Sequence, residues 1–196
     1  MAQRIFIAIA LDDPTHQFID ELRQPLLQDL PSVRFVEPET WHITLAFIGD
    51  SIPDQVKAAM EAMQHSTKDA PSFTLQINGI MIFGGAVPTV LWAGVIGDIR
   101  PLQLLQQRVV ASLHVANIAI QSPADYRPHI TLARLRKALP EPELQLLRSH
   151  VQSRQSLGPQ FTVNMITLFE STLSPSGAHY TPLATAPLTH LTNEKF

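Results

Sequence analysis

"HITLAFIG" at 42–49 returns as "HITLARLR" at 129–136, and the reading of this doubled stretch decides the fold. In both copies polar and apolar residues alternate, the pattern of a strand with one face buried. Side chains at i and i+2 of a strand point the same way, so His42 and Thr44 share one face, and His129 and Thr131 share one face. Ile43, Leu45, Ile130 and Leu132 point oppositely and read as core. Each copy is followed by a helical pattern and then by a strand opening Phe-Thr, 31 residues from His42 to Phe73 and 32 from His129 to Phe161. Two copies are too few for a solenoid, which needs at least three stacked units. The repeat predicts instead two similar α+β lobes related by a pseudo-twofold axis, with mostly antiparallel sheet, helices outside and the two motif strands meeting at a central cleft. Strands and helices do not alternate singly, as a doubly wound parallel sheet would require.

Outward from the motifs, Ile5–Leu11 is an apolar, β-branched run that Asp12-Asp13-Pro14 stops, and it reads as a buried strand. It lacks the length and cleavage site of a signal peptide and is too short to span a bilayer. Asp13 as N-cap and Pro14 as first helical residue open a helix carrying Phe18, Ile19, Leu22, Leu26 and Leu30, which Pro25 should kink or shorten. "VRFVEPETWHITLAFIGD" reads as two short strands around Glu37-Pro38, and a second helix opens near Ser51 and Pro53. Strands are expected at "FTLQINGIMIF" and "TVLWAGVIG", with "FGGAVP" as a hairpin turn. A third helix runs from Asp98 through Leu113, a loop lies at Pro123, and "YRPHITLARLR" forms a strand. A fourth helix starts near Pro140, strands follow around "FTVNMITLFES" and "HYTPLATAPL", and the last six residues should fray.

With 196 residues, 45% hydrophobic and 16% charged, the chain suffices for one compact unit, expected as a single bilobal domain over 1–196. A net charge of -3 offers no footprint for gripping a long run of nucleic-acid phosphates, which leaves a nucleotide or a strand end as the substrate scale. No cysteine is present, so disulfide scaffolds, thiolate zinc sites and cysteine nucleophiles are excluded. That absence fits a cytoplasmic protein.

If the lobes face each other, the cleft holds two imidazoles and two hydroxyls. Opening a phosphodiester needs one base for the attacking oxygen and one acid for the leaving oxygen, and histidine serves as either near neutral pH. Thr44 and Thr131 would hydrogen-bond the non-bridging phosphate oxygens. This chemistry asks for no metal, cofactor or covalent intermediate. His16, His65, His114, His150, His179 and His190 lack a comparable pattern and read as surface or ordinary polar residues, although the strand of His179 could reach the cleft.

"WHITLAFIG", "RPHITLARL" and "RIFIAIAL" together resemble the two-histidine (2H) phosphoesterase superfamily, most closely its bacterial RNA 2′,3′-cyclic phosphodiesterase branch, also called RNA 2′-5′ ligase. The resemblance spans nearly the whole chain and implies the bilobal 2H fold. It implies opening of 2′,3′-cyclic phosphate ends of RNA or nucleotides to a 2′-phosphate, with 2′-5′ ligation as a related activity. It also implies His42 as general acid at the leaving O3′ and His129 as general base on water, an assignment the residues themselves leave open. Arg134 falls where the branch has an arginine that contacts the ribose phosphate. Strict alternation sets residue 134 opposite His129, so that contact requires a bulge, a strand end or a long reach; otherwise Arg134 is a solvated cation. Phe47, also in the branch's motif, is a base-stacking candidate that parity places in the core. Where the family often has an aromatic beside the base, Ile7 follows Phe6.

The expected partner is thus a small nucleotide or RNA terminus, with no membrane and a monomeric chain. Rival readings fare worse on the residues. Neither motif has the His-x-His or His-Glu-x-x-His spacing of a zinc hydrolase, no Gly-x-Ser-x-Gly elbow exists, and "FGGAVP" lacks the ending of a phosphate-binding loop. A noncatalytic nucleotide or RNA-end binding module would be served by arginine and lysine instead of paired histidines. A different cyclic or 2′-5′ phosphodiester remains as the alternative substrate.

Overall fold

A computed structural model describes residues 2–121, 126–153, 156–175 and 177–189. The chain runs β1 (Gln3–Ala10), α1 (Asp13–Asp29), β2 (His42–Ser51), α2 (Pro53–Thr67), β3 (Phe73–Phe83), β4 (Val90–Gly97), α3 (Ile99–Val115), β5 (His129–Arg134), α4 (Glu141–Ser153), β6 (Leu157–Val163), β7 (Met165–Ser174) and β8 (Gly177–Pro187). The strands form two antiparallel four-stranded sheets, ordered β2-β1-β7-β8 and β5-β4-β3-β6. Laid over each other, these orders pair β2 with β5 and β1 with β4, which is the expected pseudo-twofold arrangement. Among the described residues no helix is long and apolar enough to cross a membrane.

The local signals explain most boundaries. Asp12, one residue earlier than the sequence suggests, caps α1 by accepting from the Thr15 amide at 3.0 Å. The helix passes through Pro25 to Asp29 without being shortened, because the Glu21 carbonyl that Pro25 cannot bond belongs to an exposed residue. Gln55 accepts from the Ile52 amide at 3.0 Å and opens α2. "FGGAVP" is the β3–β4 turn, with Gly84 and Gly85 at φ of +102° and +59°, a region that glycine enters without strain. Pro123, His190 and the last six residues fall outside the described residues.

Three expectations change. The first of the two strands expected around Glu37-Pro38 is only a single bridge, Phe35 to Ala133, followed by a 3-10 turn at Pro38–Thr40. "FTVNMITLFES" is divided at Asn164 between β6 in the second sheet and β7 in the first. The two Phe-Thr openings are not symmetry mates but neighbours, Thr74 lying opposite Thr162 in the same sheet. Periodicity reports which residues are buried, not which sheet buries them, so it could not reveal either exchange.

The helices cross between the sheets. α1 leaves the first sheet and packs on β6 and β3 of the second, beside α4; α3 leaves the second sheet and packs on β2 of the first, beside α2. Gln106 of α3 donates to the Leu45 carbonyl at 3.3 Å. On the other side the Phe18 ring of α1 fills the space over Gly158 of β6, where an added Cβ would lie 2.6 Å from Cδ1. Gly158→Ala is therefore expected to lower stability by about 1–3 kcal/mol through overpacking. In a Phe18→Leu background it should cost less, with a coupling of at least about 0.5 kcal/mol in urea unfolding. Additive losses would place α1 elsewhere.

Candidate active site

The two motif strands are edge strands, and each breaks its alternation at the same place. Against β1, Ala8 pairs with Thr44 and Ile7 with Ala46, leaving Leu45 extra; against β4, Trp92 pairs with Thr131 and Leu91 with Ala133, leaving Leu132 extra. Both leucines are buried, as are Ala46 and Ala133 after them. One added residue turns the following side chain to the opposite face, so Phe47 rejoins His42 and Thr44, and Arg134 rejoins His129 and Thr131. All six line one cavity of about 610 Å³ between the sheets. The core position expected for Phe47 is thereby corrected, and the bulge that Arg134 required is present. Its sequence signal is the apolar pair Leu-Ala in each copy, two consecutive buried residues where alternation allows one.

Each imidazole is oriented by the carbonyl two residues before it. His42 Nδ1 lies 2.6 Å from the Thr40 oxygen and His129 Nδ1 lies 2.7 Å from the Arg127 oxygen. A carbonyl only accepts, so both Nδ1 atoms carry hydrogen. Nε2 is left outside that bond, and in His42 it lies 2.9 Å from Thr44 Oγ1. Aromatic rings wall both groups. Phe6 and Tyr180 stand 4.8 and 5.3 Å from the His42 ring, Tyr180 edge-on, while Phe83 and Trp92 meet His129 edge-on at 5.4 and 6.0 Å.

These walls set the electrostatics. Burial pushes the His42 pKa down to about 4, the Thr40 carbonyl works against this, and the charges of His129 and Arg134 add to it. Burial also lowers His129, opposed by the Arg127 carbonyl and assisted by Arg134. Tyr180 is raised by burial against the opposing pull of Arg134 and Arg4. Burial and Arg134 thus both favour the uncharged form of each imidazole.

Phe6, Phe83, Gln121, Tyr126, Ser171 and Tyr180 also line the cavity, all of them outside the two His-x-Thr motifs. Phe6 carried a faint signal, an aromatic in an aliphatic strand. It, not the fully buried Ile7, supplies the aromatic on β1. The strand of His179 does reach the cleft, but through its neighbour Tyr180, and His179 is exposed. His16 stacks on Trp41 at 5.7 Å, His150 pairs with Asp29 at 2.6 Å, and His65 and His114 are exposed. Among the described residues no three histidine or carboxylate side chains gather as a metal site would require.

Comparison with known proteins gives the same picture along the chain. A protein of Methanothermobacter thermautotrophicus named RNA 2′,3′-cyclic phosphodiesterase is 26% identical over 184 residues, covering 93% of this chain and 97% of that one. Its namesake from Archaeoglobus fulgidus is 29% identical over 184 residues, covering 92% and 97%. The crystal structure of E. coli LigT complexed with 3′-AMP superposes with a TM-score of 0.73 at 24% identity, covering 96% of this chain and 98% of that one. A Thermus thermophilus structure gives 0.74 at 22% identity, covering 94% and 97%. LigT structures with ATP and NADP+ share the fold as well. The 2′-5′ RNA ligase superfamily, as a family model, matches residues 11–174, a span that holds both His-x-Thr strands and their bulges, and the chain belongs to that superfamily.

Proposed function

We propose that this chain is an RNA 2′,3′-cyclic phosphodiesterase in which His42 and His129 transfer the protons. The observation that carries this reading is the pair of carbonyl-oriented imidazoles whose Nε2 atoms are left for one shared cavity. The names of the relatives support the substrate.

Water attacks phosphorus while one Nε2 takes its proton; the P–O3′ bond breaks while the other Nε2–H gives its proton to O3′. The products are a 2′-phosphomonoester and a free 3′-hydroxyl. The two imidazoles end with exchanged protonation and reset through solvent. We assign the acid to His42 and the base to His129, following the family resemblance. Thr44 and Thr131 hold the non-bridging oxygens, and Arg134 offsets their charge. Phe47, which lines the same cavity, is the candidate to stack on the base. A 5′-hydroxyl in place of water gives a 2′-5′ phosphodiester by the same proton transfers, which is the ligase reaction. No cofactor enters these steps. We take residues 1–196 to act as one bilobal, monomeric unit on cytoplasmic RNA ends.

His42→Ala and His129→Ala should each lower turnover of adenosine 2′,3′-cyclic phosphate by about 10²–10⁴-fold, the usual loss for a general acid or base. Thr44→Ala and Thr131→Ala should lower it less. Near wild-type turnover by either histidine variant, with native circular dichroism, would falsify the mechanism.

The pH profile has a definite sign. Both imidazoles lie below their ordinary 6.5 in the free protein, and kcat/KM reports the free protein. Its alkaline limb, where the acid loses its proton, should therefore fall below pH 6.5. A bound phosphate anion favours imidazolium, so the kcat profile should sit at higher pH. A kcat rising monotonically through the neutral range, with chemistry rate-limiting, would leave no place for the acid.

A further inference from the structure

Positions 47 and 134 are equivalent in the two motif strands, and the bulges turn both toward the cleft. The second sheet has a guanidinium there, Arg134. The first has Phe47, but the guanidinium of Arg4 lies over its ring, 5.0 Å from the centroid. Arg4 shares a face of β1 with Phe6, two residues on, and is exposed beside Phe47; Phe6 and Phe47 both line the cavity. Asp50 stands opposite Arg4 in the β1–β2 ladder, but among the described residues no carboxylate forms an ion pair with the guanidinium. The charge of Arg4 and that of Arg134 both pull the Tyr180 pKa down against the effect of burial. The first sheet thus restores the missing cation, one side chain further out.

We propose that Arg4 binds the phosphodiester immediately 5′ of the terminal nucleotide, so that the cleft is built for the 3′ end of an RNA strand in preference to a free cyclic mononucleotide. This rests on the cyclic-phosphate reading above. The reacting phosphate belongs inside, with the histidines and Arg134, and the next phosphate of the strand emerges at the rim. A guanidinium lying on an aromatic ring is already positioned, loses little freedom on binding and keeps its donor fork for phosphate oxygens. With a net charge of -3, the protein adds no general attraction for further phosphates, so the footprint ends after about two.

The test compares kcat/KM for three substrates over a salt series: adenosine 2′,3′-cyclic phosphate, the same nucleotide with a 5′-phosphate, and the dinucleotide ApA ending in a 2′,3′-cyclic phosphate. The wild type should prefer the second and third by about two- to fivefold, the worth of one exposed ionic contact. Their dependence of log kcat/KM on log salt should be steeper by ~0.7, the single-strand increment for one phosphate. Arg4→Gln should collapse both differences, and Arg4→Lys, which keeps the charge without the flat fork, should retain part of them. The proposal is overturned if the wild type shows no preference, if Arg4→Gln leaves the preference unchanged, or if only the dinucleotide gains, since the second nucleoside is then what is read. Turnover of the mononucleotide in any of these cases leaves the phosphodiesterase reading standing. Failure of all three substrates removes that reading and this inference with it.

Discussion

Leu45 and Leu132 each sit in a ladder without a partner across it, and both point into the core. A regular strand would keep its pairing and send Phe47 and Arg134 away from the histidines. Burying a leucine side chain is worth about 1.5–3 kcal/mol, which offsets the disrupted pairing of one residue. The bulge is therefore held open by the core, and it is the core that aims the residue at 134 into the cleft. The bulge at Leu45 and the one at Leu132 are what set Phe47 beside His42 and Thr44 and Arg134 beside His129 and Thr131; β2 carries a second irregularity further on, at Ile48.

Two edge strands facing each other across a cleft would otherwise be exposed to pairing with other chains. Here each edge is closed by the segment that returns from a crossed helix. After α1 the Val36 amide donates to the Leu132 carbonyl of β5, and after α3 the Gln121 amide donates to the Phe47 carbonyl of β2. The same crossings tie the sheets together, since each helix is anchored by its ends in one sheet and by its apolar face on the other. The cleft thus lies between two bodies that cannot separate without uncovering both cores.

Aromatic walls do two things at this site. They pack against the imidazole planes, and they bury the rings, which disfavours the charged form of both histidines. In the proposed reaction the substrate's charge supplies what the free cleft lacks. Arg134 makes a second nearby cation costly, and in that proposed reaction the proton arrives in company with the phosphate anion that stabilises it.

The sequence by itself determined the doubled His-x-Thr strands, the α+β class, the outward helices and the two polar pairs, His42 with Thr44 and His129 with Thr131, each on one face of its strand, because each of these follows from local periodicity and from a repeat visible in one line of text. Tertiary structure decided the rest. Whether β6 and β7 belong to one sheet or two, which sheet α1 covers, and that Phe6 and Tyr180 meet His42 are matters of long-range pairing, for which strand period carries no address. The bulges lie between these cases. Leu-Ala pairs announce two buried residues in succession, but only the ladder against β1 and β4 shows that the chain absorbs the extra one by turning Phe47 and Arg134 to the cleft, since a bulge is defined by what stands opposite it.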